Sequence, residues 1–383
     1  MALRFESLAR ELYHCADCNY CVDAVWPERG LQHVCPTLVH HAPFQSYSGR
    51  GYLAAARAWR EGATLDLKAL ADRAFTCTTC GHCETVCPIG LHPTDAARAL
   101  RGALWEEDVV PPAIRHIVDD LRRHGSPTGA TGEARAMAGI STAPETVAPM
   151  FYLPGCAVAG EAREEGEAAL ALIRASGQAV VALPQDHCCG APHVELGLTA
   201  EGQRLAEDLA RRAGAGATVL LSGLECAQQW RRVTMAQSGG EPAADRGLTI
   251  VSTTRFIAEA LATERLRLRR RQGAPPPVRL QYSCQSRAQH GDIEDLHAIC
   301  VHLGVKRLPT ESPTHVLCCG AAGGMPAMAP ESAARMACAR VASDEAFHLV
   351  ADPRCLAHLR RANPAHSFAG VAGFLLRFFE PAP

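Results

Sequence analysis

Eighteen cysteines stand in 383 residues, and many are spaced too regularly to be accidental. Cys77, Cys80 and Cys83 recur every third residue and are followed by Cys87-Pro88. Cys15, Cys18 and Cys21 repeat the triplet, with Cys35-Pro36 further on. Thiolates at that spacing either wrap a loop around one cube of iron and sulfide or grip zinc. Zinc usually takes two C-x-x-C knuckles, not a triplet and a distant Cys-Pro, so the pattern favours iron-sulfur chemistry. Disulfides are a third use of paired cysteines and need an oxidising compartment. Met1 to Arg10 carries Glu6 and no apolar segment, so it does not read as a secretory signal.

The run from Cys77 to Pro88 has the spacing of bacterial ferredoxins, in which three thiolates hold one cubane and the fourth reaches a different cluster. Crosswise ligation predicts two [4Fe-4S] cubane clusters. Cys15, Cys18, Cys21 and Cys87 would hold one, and Cys77, Cys80, Cys83 and Cys35 the other. Thirteen residues separate Cys21 from Cys35 where three are usual, and this insert, Val22 to Val34, contains Pro27 and Gly30 and reads as a loop. Pro88 suits the first turn of a following helix. His82, inside the second triplet, is either a polar neighbour of its cluster or a tuning group. Between the runs, the spacing of Leu53, Ala56, Leu65, Leu67 and Leu70 predicts helix on either side of Gly62.

Further cysteines come singly or as a pair, and then come again. Cys156, Cys188-Cys189-Gly190 and Cys226 are followed by Cys284, Cys318-Cys319-Gly320 and Cys355, at intervals of 128, 130 and 129 residues. An internal duplication explains that regularity. The surrounding pattern predicts strands at Met150 to Leu153, Ala179 to Leu183, Ala217 to Ser222, Val278 to Tyr282 and Phe347 to Ala351. Helices fall between them, at Glu161 to Ser176, Leu198 to Arg212 and Ile293 to Leu303, with another begun by Pro330. Such alternation argues for parallel sheets, whose ligands sit beyond the carboxyl ends of the strands, where these cysteines fall. Each half thus offers four thiolates for one or two further iron-sulfur clusters. Gly190 and Gly320, lacking Cβ, would let backbone N–H groups approach inorganic sulfur, a surface that Gly323 and Gly324 extend. Cys300 and Cys338 have no counterpart in the other half and are assigned to the core.

The remaining composition narrows the function by exclusion. A net charge of −2, with Lys and Arg scattered, gives no footprint for nucleic acid. No stretch approaches the length of a membrane span, which points to a cytoplasmic protein. The apolar segment Phe368 to Phe379 has two readings, packing onto a sheet or touching a membrane partner. No strand leads into G-x-G-x-x-G with a following acid, and Gly214-Ala215-Gly216 precedes a strand as a turn.

Leu153-Pro154-Gly155-Cys156, His187-Cys188-Cys189-Gly190-Ala191, Leu317-Cys318-Cys319-Gly320-Ala321-Ala322-Gly323 and Cys355-Leu356-Ala357-His358-Leu359 resemble the heterodisulfide reductase-related proteins that carry two CCG domains. Within that group the chain looks most like the glycolate oxidase iron-sulfur subunit and its anaerobic glycerol-3-phosphate dehydrogenase relative. The resemblance implies an α+β organisation: a helical ferredoxin-like two-cluster domain over 1–124, a linker over 125–149, and two duplicated α/β CCG domains over 150–270 and 271–383. It implies an electron-transfer subunit working with an FAD-containing dehydrogenase subunit and a membrane quinone-reducing partner, placed at the inner membrane through that partner. The heterodisulfide reductase catalytic subunit ends each CCG domain in C-x-x-C and holds a noncubane cluster that works on a disulfide. Here Gly223 and Asp352 replace the first Cys of each pair, as in the glycolate oxidase type. A disulfide reductase with His187, His193 or His315 supplying protons is the alternative, and a zinc-stapled interaction protein a third reading. Arg50, in Tyr47-Ser48-Gly49-Arg50-Gly51, resembles the family's Arg-Gly loop near a cluster; a plain surface turn is the other reading.

Overall fold

The computed structural model describes residues 5–23, 34–127, 129, 150–182, 188–237, 248–288, 292–310, 316–341 and 346–382. Most of the predicted insert and linker, the end of the strand expected to reach Leu183, His187 and His315 lie outside the described residues. The chain forms two compact units. One comprises 1–119, 191–203 and 311–341, the other 120–190, 204–310 and 342–383. The expected linear segments are therefore interleaved in space: two later excursions pack with the N-terminal residues.

The first unit is helical among its described residues. Helix Gly49–Arg60 buries Gly49, Tyr52, Leu53 and Ala56, an i, i+3, i+4, i+7 stripe, against helix Pro93–Glu106. Asp66 accepts the Ala69 N–H at 3.0 Å and starts helix Leu67–Thr76, so helix lies on both sides of Gly62 as expected. Cys35-Pro36 opens helix Pro36–His40, but Cys87-Pro88 does not open one. Pro88 instead lies in a turn closed by Gly90 N–H on Cys87 O (3.1 Å), and the next helix waits for Pro93. Helix Pro330–Ala339 packs beside Pro36–His40, where Arg335 donates to His40 O at 3.0 Å.

The second unit holds the sheets. Strands β1 (Met150–Leu153), β2 (Val180–Ala182), β3 (Thr218–Leu221) and β4 (Thr249–Ser252) form a parallel sheet ordered β2-β1-β3-β4. After β5 (Leu268–Arg270) come β6 (Val278–Gln281), β7 (Phe347–Val350) and β8 (Ser367–Gly370), parallel in that order. An isolated parallel bridge from Val278 to Arg307 occupies the place that β2 has beside β1. One pairing departs from the parallel expectation, since β5 runs antiparallel to β9 (Phe379–Pro381). Of the readings of Phe368 to Phe379, the packed one describes what is seen: helix Val371–Phe378 buries Val371, Ala372, Phe374 and Leu375, with Phe374 edge-on to Phe347 at 5.5 Å. No helix among the described residues is long and apolar enough to cross a membrane.

Glu165 supplies the cap that Gly370 lacks. From helix Arg163–Ala175 its carboxylate accepts the N–H groups of Ala372 and Gly373, both at 2.8 Å. Burial pushes its pKa up to about 7 from 4.5, against those two donors. An acid whose folded pKa is raised contributes proton-linked stability that is complete below the unfolded value and gone once pH passes the folded one. Anaerobic urea unfolding should therefore show native protein losing on the order of 3 kcal/mol relative to Glu165→Gln between pH 4.5 and 7. A difference that stays flat across that window would contradict the assignment.

Candidate metal centres

The first unit contains two hollows, each lined by four cysteines. Cys15, Cys18, Cys21 and Cys87 line one of about 360 Å³, and Cys35, Cys77, Cys80 and Cys83 line another of about 330 Å³. The grouping is crosswise, each triplet meeting the other run's fourth cysteine. Both triplets use the same backbone device. The second and fourth residues after the leading cysteine are left-handed in each, Asp17 and Asn19 (φ 53 and 66) in one, Thr79 and Gly81 (φ 51 and 74) in the other. This reversal curls the loop around its hollow and turns N–H groups inward, as Thr79 N–H to Cys77 Sγ (3.4 Å) shows. Thr79 is β-branched and strained there, a cost accepted where loop shape matters.

The hollows share a wall. Gly49 lines the second and the next residue, Arg50, the first, while Pro93 lines both. A Cβ on Gly49 would come within 2.9 Å of Cys83 Cβ, so only glycine lets the helix approach this closely. Of the two readings of Arg50, the surface turn does not describe it: Arg50 stands in a helix, bound to Asp17 Oδ1 (3.2 Å), Asn19 Oδ1 (2.5 Å) and Gln45 Oε1 (3.0 Å). His82 is fully buried but is not among the residues lining either hollow.

Burial pushes the Cys21 thiol up to about 11 and those of Cys35, Cys77 and Cys83 upward as well. Clustered thiols that burial disfavours as free thiolates suit a group that brings its own positive charge, as iron does when thiolates bind it. The donor set, all sulfur, fits the soft end of that choice.

In the second unit, Cys156 at the start of the helix after β1, Cys188 and Cys189 after β2, and Cys226 in the first turn of the helix after β3 converge. The thiols form a chain of contacts, Cys156 to Cys188 to Cys189 to Cys226, with the last sulfurs 3.0 Å apart. Donation from Cys189 lowers the Cys226 thiol, yet burial together with the nearby Glu225, Cys156 and Cys188 outweighs it and the pKa rises to about 12. All are free thiols. Gly223, where a terminal C-x-x-C would place its first cysteine, leaves its missing Cβ 3.3 Å from Cys226 Sγ. Asp352, at the matching place in the second half, is buried and accepts the N–H groups of Arg354 (2.9 Å), Cys355 (3.2 Å) and Leu224 (3.0 Å). It joins the starts of the helices that carry Cys355 and Cys226.

The other foursome is divided between the units. Cys284 and Cys355 are buried in the second unit, Cys318 and Cys319 in the first. The two CCG turns nevertheless share a conformation: Gly190 and Gly320 both have φ +89, and each N–H donates to the leading cysteine's sulfur, at 3.3 Å for Gly320. Gly323 and Gly324 do a different job from the one expected. Their missing Cβ atoms face the backbone of Cys77-Thr78 and Phe75 O, so they pack against the second hollow's own loop. Cys300 is buried as expected, whereas Cys338 is exposed on the outer face of its helix. Sequence reasoning passed over Gly49, Arg101 and the left-handed residues. The signal for Arg101 was a charge on the apolar stripe Ala97, Leu100, Leu104.

Residues 11–91 match the model of a 4Fe-4S dicluster domain, and residues 150–226 that of the CCG cysteine-rich domain. No curated protein matches the chain. This is an iron-sulfur protein with two [4Fe-4S] clusters in an N-terminal dicluster domain and a CCG cysteine-rich domain behind it.

Proposed function

We propose that the chain is the iron-sulfur electron-transfer subunit of an oxidoreductase complex, in which an FAD-containing dehydrogenase subunit oxidises a 2-hydroxy acid of the glycolate or lactate type. Electrons leave through the clusters towards a quinone or another acceptor, with the chain itself cytoplasmic and held at the inner membrane through a partner. Cys15, Cys18, Cys21 and Cys87 ligate one cubane and Cys35, Cys77, Cys80 and Cys83 the other. A further cluster belongs to Cys156, Cys188, Cys189 and Cys226, beside Gly190. The second half, which carries Cys284, Cys318-Cys319-Gly320 and Cys355 at the repeat interval, is a second copy of the CCG domain. Its parallel sheet order and its Gly320 turn support the duplication.

The observation that carries this reading is the shared wall between the two hollows, where consecutive residues Gly49 and Arg50 face different cysteine sets. Redox groups set that close pass electrons between them and need no substrate pocket. Gly223 and Asp352, standing where a fifth cysteine would be, favour a relay over disulfide reduction. Affinity isolation under anoxic conditions should bring down a flavin-containing subunit whose substrate reduces the clusters. Isolation without flavin, together with rapid reoxidation of dithionite-reduced clusters by a small disulfide, would establish the heterodisulfide reductase-like alternative instead.

A further inference from the structure

Arg101 lies on the buried stripe of helix Pro93–Glu106 and is itself fully buried. Its guanidinium donates to main-chain oxygens: Nε and Nη2 to Ala74 O (2.8 and 2.6 Å), Nη2 to Cys77 O (2.5 Å) and Nη1 to Glu195 O. Among the described residues no carboxylate forms a salt bridge with it. The Glu195 carboxylate acts on it only at a distance and accepts the Gly323 N–H at 3.4 Å. Neighbouring Arg98 is already matched by Asp95 at 2.6 Å.

A buried guanidinium held by carbonyl dipoles and, at 5.5 Å, the Phe75 ring, with no carboxylate paired to it, is costly and persists where an anion stands close by. Of the ionisable side chains around it, Cys77 as a thiolate acts on Arg101 most strongly, and Arg101 in turn is what most opposes the effect of burial on that thiol. Cys77 lines the second hollow. A [4Fe-4S] cluster with four thiolates is a net anion and gains one more negative charge when it accepts an electron, so a fixed cation beside it favours the reduced form. The first hollow lacks this arrangement, because Arg50, the cation lining it, is offset by Asp17 at 3.2 Å.

We propose that Arg101 is the counter-charge of the cluster held by Cys35, Cys77, Cys80 and Cys83 and raises that cluster's reduction potential, a role that rests on the ligand assignment above. Arg101 touches no reacting atom; it positions charge.

The test is an anaerobic redox titration followed by EPR on the full chain, with the two signals assigned beforehand by Cys18→Ser and Cys80→Ser. In Arg101→Gln the signal altered by Cys80→Ser should titrate at least tenfold harder to reduce at fixed potential, about 59 mV for a one-electron couple, while the other signal moves much less. Arg101→Lys, which keeps the charge, should restore most of the shift. Unchanged potentials in Arg101→Gln, or equal shifts of both clusters, would overturn the proposal. Should Arg101→Gln lose that cluster altogether, retention in Arg101→Lys supports the counter-charge, and loss in both shows that the fork is needed only for shape. If neither serine variant alters a signal selectively, it is the ligand assignment that fails.

Discussion

Replacing Cys83 by alanine should abolish one [4Fe-4S] EPR signal in anoxic protein, remove one cluster's iron and block electron passage, while the other signal persists. Cys83 is one of four thiols around the second hollow, and its buried sulfur faces Gly49 with no side chain to take its place. A cubane that loses a corner thiolate to a methyl group has no ligand for one iron. The crosswise geometry makes the experiment sharper. Cys87→Ala, only four residues away in sequence, should affect the other signal, the one lost in Cys18→Ala, because Cys87 lines the first hollow. If Cys83→Ala and Cys87→Ala remove the same signal, each run holds its own cluster and the crosswise assignment is wrong. Unchanged spectra in both would refute all eight ligands.

That grouping was legible in the sequence because it is dictated locally. Two residues between successive cysteines permit only a loop around one centre, and the Cys-Pro spacing sends the fourth thiol elsewhere. The strands were legible for a similar reason: Met150 to Leu153 is a short apolar run and Phe347 to Val350 is apolar but for His348, and parallel strands covered on both faces read that way. The failures come from contacts distant in sequence. Pro88 looked like a helix opener, but the Cys87 carbonyl is committed to Gly90, so the chain turns first. Gly323 and Gly324 looked like part of a cluster surface, and what requires them is the backbone of Cys77-Thr78 and Phe75, some 250 residues earlier in the chain. Cys338 was placed inside because cysteine is commonly buried, and nothing in its neighbours' pattern marks the outward face it occupies.

Asp352 shows how a residue read as an absence turns out to be a structural part, and Asp352→Ala should lower stability by about 3 kcal/mol. The side chain caps helix Pro353–Ala362 through the Arg354 and Cys355 N–H groups, and its second oxygen takes the Leu224 N–H at the start of the helix that carries Cys226. Alanine leaves three buried or half-buried donors without an acceptor. Losing the cap alone costs about 1 kcal/mol, and a stranded buried N–H adds about 1–3 kcal/mol. Burial, and after it the nearby Glu225 carboxylate, raise the Asp352 pKa far above the ordinary carboxylate range, so its protonated form donates to Glu225, which Arg354 holds at 3.3 Å. Asparagine imitates that protonated form: its oxygen still caps Arg354 and Cys355, its amide can donate to Glu225, and only the Leu224 bond is lost. Asp352→Asn should therefore cost about 1 kcal/mol, well short of alanine. Denaturant midpoints measured anaerobically on the two variants decide the matter, because equal losses would mean that the carboxyl serves only as a space-filler between the helices bearing Cys226 and Cys355.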